Sequence, residues 1–145
     1  MWCQPGGTVY PEPPIDMPLD ATTALPISNA SLVIFSNTKE PECAVHIADD
    51  DGLLITCDAI QHYGDYSYNN FLAKLMMPFI GFPKTTIVGP IWIKLMTPEG
   101  GSLEGDVRQL LSLQFDRLIA AHGTYLKHGA HAAVEQAIGK AFPKN

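Results

Sequence analysis

Two positions in this sequence place a metal-binding type of side chain just beyond a short apolar run. The first is Leu53-Leu54-Ile55-Thr56-Cys57-Asp58, and the second is Phe115-Asp116-Arg117-Leu118-Ile119-Ala120-Ala121-His122-Gly123. In layered α/β folds, strand ends are where side chains leave the core and meet solvent, so functional groups gather there. A carboxylate and an imidazole in one cleft suit zinc, iron or manganese. Gly123 lets the backbone turn sharply beside the imidazole. Taken singly, each residue also has an ordinary reading: Asp58 as a turn or cap residue, and His122 as a loop residue.

The other candidates also divide between two readings. His62 follows Asp58 by four positions, and either lines the same cleft or sits in a plain loop. His128 and His131 share one face of a helical turn, as two ligands or as solvated helix-end residues. His46 falls inside an apolar run and reads as a satisfied sheet residue. Asp49-Asp50-Asp51-Gly52 is either a cation loop or a solvated hairpin turn, and glycine after aspartate favours the turn. Lys84 could meet an anionic substrate. The stretch from Phe71 to Met96, with Met76, Met77 and Trp92, reads either as the apolar wall of a pocket or as hydrophobic core, with core favoured.

Several elements must position these groups. Leu32–Phe35, Cys43–Ile47 and Leu53–Thr56 are short apolar runs suited to buried strands, the last two joined as a hairpin by the acidic turn. Asn69-Asn70 caps a helix through Phe71, Leu72, Leu75 and Met76 that ends by Pro78 and Gly81. A second apolar helix spans Ile91–Met96, and a third opens at Ser102-Leu103 and carries Val107, Leu110 and Leu111 on one face. A short strand over Arg117–Ala121 precedes His122-Gly123, and a last helix covers about Ala130–Phe142. Residues 1–30 read as an irregular covering segment, because Pro5, Pro11, Pro13, Pro14, Pro18 and Pro26 oppose both helix and central strand. Residues 31–145 then form one α/β domain.

Composition narrows the function classes. At 145 residues the chain has the length of one domain, and a hydrophobic fraction of 46% supports a packed core. A net charge of -6, with only nine scattered Lys and Arg residues, argues against nucleic acid. Lys74, Lys84 and Lys94 with Pro78, Pro83 and Pro90 break the Phe71–Met96 stretch, so no spanning helix and no membrane partner is expected. Cys3, Cys43 and Cys57 show no C-x-x-C spacing, and no signal peptide is visible, which together point to a reducing cytoplasm. A small-molecule substrate or another protein chain is the expected partner.

From about Leu32 to Ile138 the sequence resembles the carboxy-terminal half of the metallo-β-lactamase superfamily, near its glyoxalase II-like branch. Leu54-Ile55-Thr56-Cys57-Asp58 is similar to the family's L-x-T-G-D hairpin end. Phe115-Asp116-Arg117-Leu118 with His122-Gly123 is similar to its F-D-x-L-x-x-x-H-G strand end. The resemblance implies half of an αβ/βα sandwich, with antiparallel hairpin strands followed by helices and a short strand. It also implies Asp58 and His122 as metal ligands, zinc before iron or manganese. The implied reaction is metal-dependent hydrolysis of an ester, thioester, amide or phosphoester.

The departures bear on activity. The family's H-x-H-x-D-H signature is absent, and Thr38-Lys39-Glu40-Pro41-Glu42 stands where a T-P-G-H-T-like turn would supply another histidine. Glu42 then reads as a carboxylate ligand, a substrate-facing group or a charged residue at a strand entrance. Cys57, in place of the usual glycine, reads as a thiolate ligand or as a buried inert thiol. Catalytic zinc generally takes three protein ligands plus water, so the metal is expected to be incompletely liganded here and the domain truncated. Half a sandwich would expose an apolar sheet face, to be covered by residues 1–30, a partner chain or self-association. The alternatives are a non-catalytic remnant or a subunit that completes its fold with another chain, and a pseudo-enzyme binding a small apolar ligand.

Overall fold

The computed structural model describes residues 2–7, 16–67 and 69–144. The expectations placed on Met1, Pro11, Pro13 and Pro14 lie outside these residues. In chain order the elements are β1 (Trp2–Cys3), β2 (Met17–Pro18), β3 (Ala30–Phe35), β4 (Glu42–Ile47), β5 (Leu53–Thr56) and β6 (Ile60–His62). They continue with α1 (Phe71–Met76), β7 (Thr86–Val88), α2 (Pro90–Met96), α3 (Glu104–Arg108) with a 3-10 turn over Gln109–Ser112, β8 (Arg117–Ala120) and α4 (Ala130–Ala141). This is an α/β domain.

A four-stranded mixed sheet runs in the order β3-β4-β5-β8. The first three strands are antiparallel, and β8 joins parallel to β5. The β4–β5 hairpin closes where Asp50 and Gly52 take positive φ of 52° and 78°, with the Gly52 amide donating to the Asp49 carbonyl at 3.0 Å. The acidic triplet is thus a hairpin turn, as the glycine favoured. No side chain fits at Gly52, since a Cβ there would sit 2.1 Å from the Gln114 carbonyl oxygen.

One face of the sheet, carrying Phe35, Ala44, Leu54 and Leu118, packs in a single core with Leu103, Val107 and Leu110 and with Val134 and Ile138 of α4. Alternation along each strand sends every second residue into this core. Burial of a side chain such as Leu54 or Leu118 stabilises the fold by about 1.5–3 kcal/mol. The opposite face carries Val45, Ile55 and Ile119 in cross-strand register, and Ile119 stays exposed. Within the expected irregular segment, β1 and β2 form a two-residue parallel pair, and Gly7 lies against Pro41.

Two features escape a reading of the sequence. The strands β6 and β7 pair antiparallel in a separate two-stranded sheet, and three residues each are too few to display a period. Asp106 is buried and receives the backbone amides of Ser36 and Asn37, both at 2.9 Å. That pins the exit of β3 onto α3 and fixes where the chain re-enters the sheet at Glu42. Hydrogen bonds to a charged group are among the stronger kind, at about 1.5–3 kcal/mol each.

The Phe71–Met96 stretch divides. Trp92 is buried in the core, whereas α1 has no buried residue. The core reading therefore holds for Trp92 and is corrected for Phe71, Leu72, Leu75 and Met76, which are exposed. The Asn70 cap is formed, its side chain accepting from the Ala73 amide at 2.8 Å.

Candidate functional site

Parallel pairing aligns Thr56 with Ala120. Asp58 and His122 each follow that last register pair by two residues, so both leave the sheet at the same level and the same end. The Ala121 amide donates to the Thr56 carbonyl at 3.1 Å, extending the ladder by one bond. The result is direct contact: His122 Nε2 lies 2.9 Å from Asp58 Oδ1, with both side chains about half exposed.

Close backbone approaches hold both loops. The Thr56 hydroxyl donates to the Ile60 carbonyl at 2.7 Å, closing the turn that carries Asp58. Gln61 Nε2 donates to the Asp58 carbonyl at 3.0 Å, and a Cβ on Gly89 would fall 2.3 Å from that same oxygen. On the other loop, Thr124 donates its amide to the His62 carbonyl at 2.7 Å. Gly123 has φ of +99°, and a Cβ there would lie 1.9 Å from the His62 oxygen. The glycine after the histidine is therefore required by the turn, as its backbone freedom suggested.

Asp58 and His122 form one end of a cavity of about 460 Å³. Glu42, Gln61 and Tyr63 supply its other polar groups, while Trp92, Met77, Phe82, Ile91, Leu95 and Met96 make an apolar wall. Glu42 faces this cavity from the start of β4. Trp92 Nε1 donates to its Oε2 in a short hydrogen bond, whereas Oε1 is buried without a hydrogen-bond partner among the described residues. Burial, reinforced by the charge of Asp58, holds the Glu42 carboxyl above the ordinary carboxylate range, although the Trp92 bond and the nearby Ala59 and Asp58 amides pull the other way.

The remaining candidates fall elsewhere. His62 does not line this cavity. Alternation along β6 and just past it sends Gln61 and Tyr63 to the cavity and His62 to the other side, where its Nδ1 lies 2.8 Å from Thr86 Oγ1. Burial lowers its pKa. Cys57 is exposed, not buried, and its Sγ lies 3.7 Å from Asp58 Oδ2. Partial burial first, and then the charges of Asp58 and Glu42, push its thiol pKa up, which disfavours the thiolate.

His128 pairs with Asp116 at 3.0 Å, and the Gly129 amide donates to the same carboxylate at 2.6 Å. The aspartate of the F-D-x-L pattern thus closes the loop that follows His122. His131 is less solvated than helix-end position suggested: its Nε2 is 3.0 Å from the Leu111 carbonyl and its ring packs on Phe115. His46 is the expected satisfied sheet residue, buried and 2.8 Å from the Gln114 carbonyl. Lys84 lies over the Tyr66 ring, 5.1 Å from its centroid. A larger hollow of about 1070 Å³ lies at the opposite, hairpin end of the strands. Its two histidines, His46 and His131, are both engaged by backbone carbonyls.

The sequence reading missed Gln61 and Tyr63. Three residues of strand are too few to show which side faces the cavity. The donor set by itself is short of a metal site. Asp58 and His122 are the right kinds of ligand, yet among the described residues no group of three His, Cys, Asp or Glu side chains is arranged to hold a metal ion. No protein-family model matches the chain, and no curated protein matches it.

Proposed function

We propose that the Asp58–His122 pair is one share of a metal-dependent hydrolytic centre of metallo-β-lactamase-like type. The observation that carries the reading is the contact itself. Two residues from distant strand ends, both expected as ligands, meet at the mouth of an apolar cavity with their polar atoms 2.9 Å apart. A catalytic zinc takes three protein ligands and a water, so at least one further donor must join Asp58 and His122, from another chain or another segment. When bound, a metal of this kind lowers the pKa of its water to about 7 and polarises the scissile group.

The chain's own residues do the positioning. Asp58 Oδ1 and His122 Nε2 converge on one point, where both would serve as donors to the same ion. Trp92 holds Glu42 in place against the cavity, and burial keeps its carboxyl above the ordinary carboxylate range. The apolar wall favours a substrate with a hydrophobic portion, in the class of esters, thioesters, amides or phosphoesters. The three unpaired cysteines support a reducing, cytoplasmic setting.

A second reading is a non-catalytic subunit or remnant, favoured by the absence of a three-donor group among the described residues. Metal content separates the two. Purified chain supplied with zinc should retain more metal than Asp58→Ala and His122→Ala. Equal trace amounts in all three would remove the metal reading and leave the second.

A further inference from the structure

The surface around α1 poses a separate question. Helix α1 has six residues and none of them is buried. Helices this short do not persist in water on propensity alone, and their stability normally comes from packing an apolar face. Here that face points outward. Phe71 is 84% and Phe79 81% exposed, and Leu72, Leu75, Ile80 and Leu95 are exposed as well. The patch continues onto α2, because Met77 and Phe82 share the cavity wall with Ile91 and Leu95. Contiguous exposed apolar surface of this kind marks an interaction site.

Charge identifies the occupant. The chain carries net charge -6, yet residues 66–98 contain Lys74, Lys84 and Lys94 and no Asp or Glu. All three lysines are exposed. Two acids flank the segment: Glu99, and Asp65, whose carboxylate accepts from the Ser67 amide at 2.8 Å and also feels the charges of Lys84 and Lys74. A second copy of the chain is a poor occupant, because a two-fold contact sets the same patch against itself and would face lysines with lysines. A groove-bound peptide fits no better, since aromatic rings more than four-fifths exposed protrude instead of lining a groove.

We infer that this patch seats the protein on an anionic lipid surface, with Phe71 and Phe79 entering the acyl boundary and Lys74, Lys84 and Lys94 meeting the headgroups. Aromatic and leucine side chains flanked by lysines are the pattern of interfacial helices, and each lysine near an anionic leaflet adds attraction. No helix among the described residues is long and apolar enough to cross a membrane, so the seat is on the surface, a membrane partner that the sequence expectation, argued from spanning alone, had set aside. The cavity opens beside the patch through Ile91 and Leu95, both exposed and both lining it. The inference stands on the patch and its charge, and does not depend on metal binding at Asp58 and His122.

Flotation of the full chain with vesicles tests it, comparing phosphatidylcholine alone with phosphatidylcholine plus phosphatidylserine. The chain should float with the anionic vesicles and much less with the neutral ones. Binding should weaken about fivefold for each lysine changed to glutamine, and further with added salt. The double variant Phe71→Ser with Phe79→Ser should lose flotation while keeping its thermal transition, since both side chains are exposed. Three results would overturn the inference: no flotation with either vesicle, flotation unchanged in the double variant, or a wild-type dimer that the double variant converts to monomer. The last would assign the patch to a second copy of the chain.

Discussion

Asp58 Oδ1 and His122 Nε2 lie 2.9 Å apart because each residue stands two positions beyond the same cross-strand pair, Thr56 and Ala120. The contact is a consequence of parallel register. Shifting β8 by one residue against β5 would turn its side chains to the opposite face and separate the pair. What fixes the register is the chain on either side: the Gly52 approach to Gln114 before the strands, and the Gly123 approach to His62 after them.

Substituting Gly123 tests that second anchor. Gly123→Ala puts a methyl group 1.9 Å from the His62 carbonyl oxygen at a backbone conformation that L residues rarely adopt. The loop must move, and stability should fall by at least about 2 kcal/mol. Urea denaturation measures the loss. A variant as stable as wild type would mean that the turn after His122 is not held as described.

Glu42 yields a pH prediction. Burial raises its folded carboxyl above the unfolded value, so its contribution to stability is fully present below the ordinary carboxylate range. It is lost as pH rises through the folded value. Glu42→Gln removes the titration and keeps an oxygen for Trp92. The variant should therefore gain thermal stability relative to wild type as pH rises across that window, and the difference should shrink in acid. Melting curves across pH check this. A variant less stable than wild type at neutral pH would show that the charged form of Glu42 is favoured in the fold.

Cys57 should react slowly despite its exposure. Partial desolvation and the charges of Asp58 and Glu42 disfavour its thiolate, and the thiolate is the nucleophile. Alkylation by iodoacetamide at neutral pH, followed by peptide mass spectrometry, should be slower than for free cysteine. Asp58→Asn should speed it. Reaction at the rate of free cysteine would contradict the electrostatic description of this corner of the site.

The two strand ends at the centre were legible in the sequence for a physical reason, while their joining as a pair was what the family resemblance implied. Short apolar runs ending in Asp58 and in His122-Gly123 announce strand ends, and strand ends are where a layered fold exposes side chains. The hairpin turn and the Asn70 cap were legible as local chemistry. What the sequence concealed was non-local. The bond from Trp92 to Glu42 and those from the Ser36 and Asn37 amides to Asp106 join segments with no shared pattern. His62 stood open between cleft and loop and lies in β6 instead, because that strand is too short to reveal which of its residues face the cavity. The apolar composition of Phe71–Met76 read as core, yet α1 meets no core on any side, so its hydrophobicity points outside the domain.

The central claim is that Asp58 and His122 act together as donors to one ion. Zinc titration of the chain, followed through the imidazole proton resonances assigned to His122 by the His122→Ala variant, tests it most directly. Zinc should shift or broaden the His122 signals before those of His46, His62, His128 and His131, and Asp58→Ala should abolish that early response. His122 signals unmoved by zinc, or moved equally in Asp58→Ala, would contradict the claim.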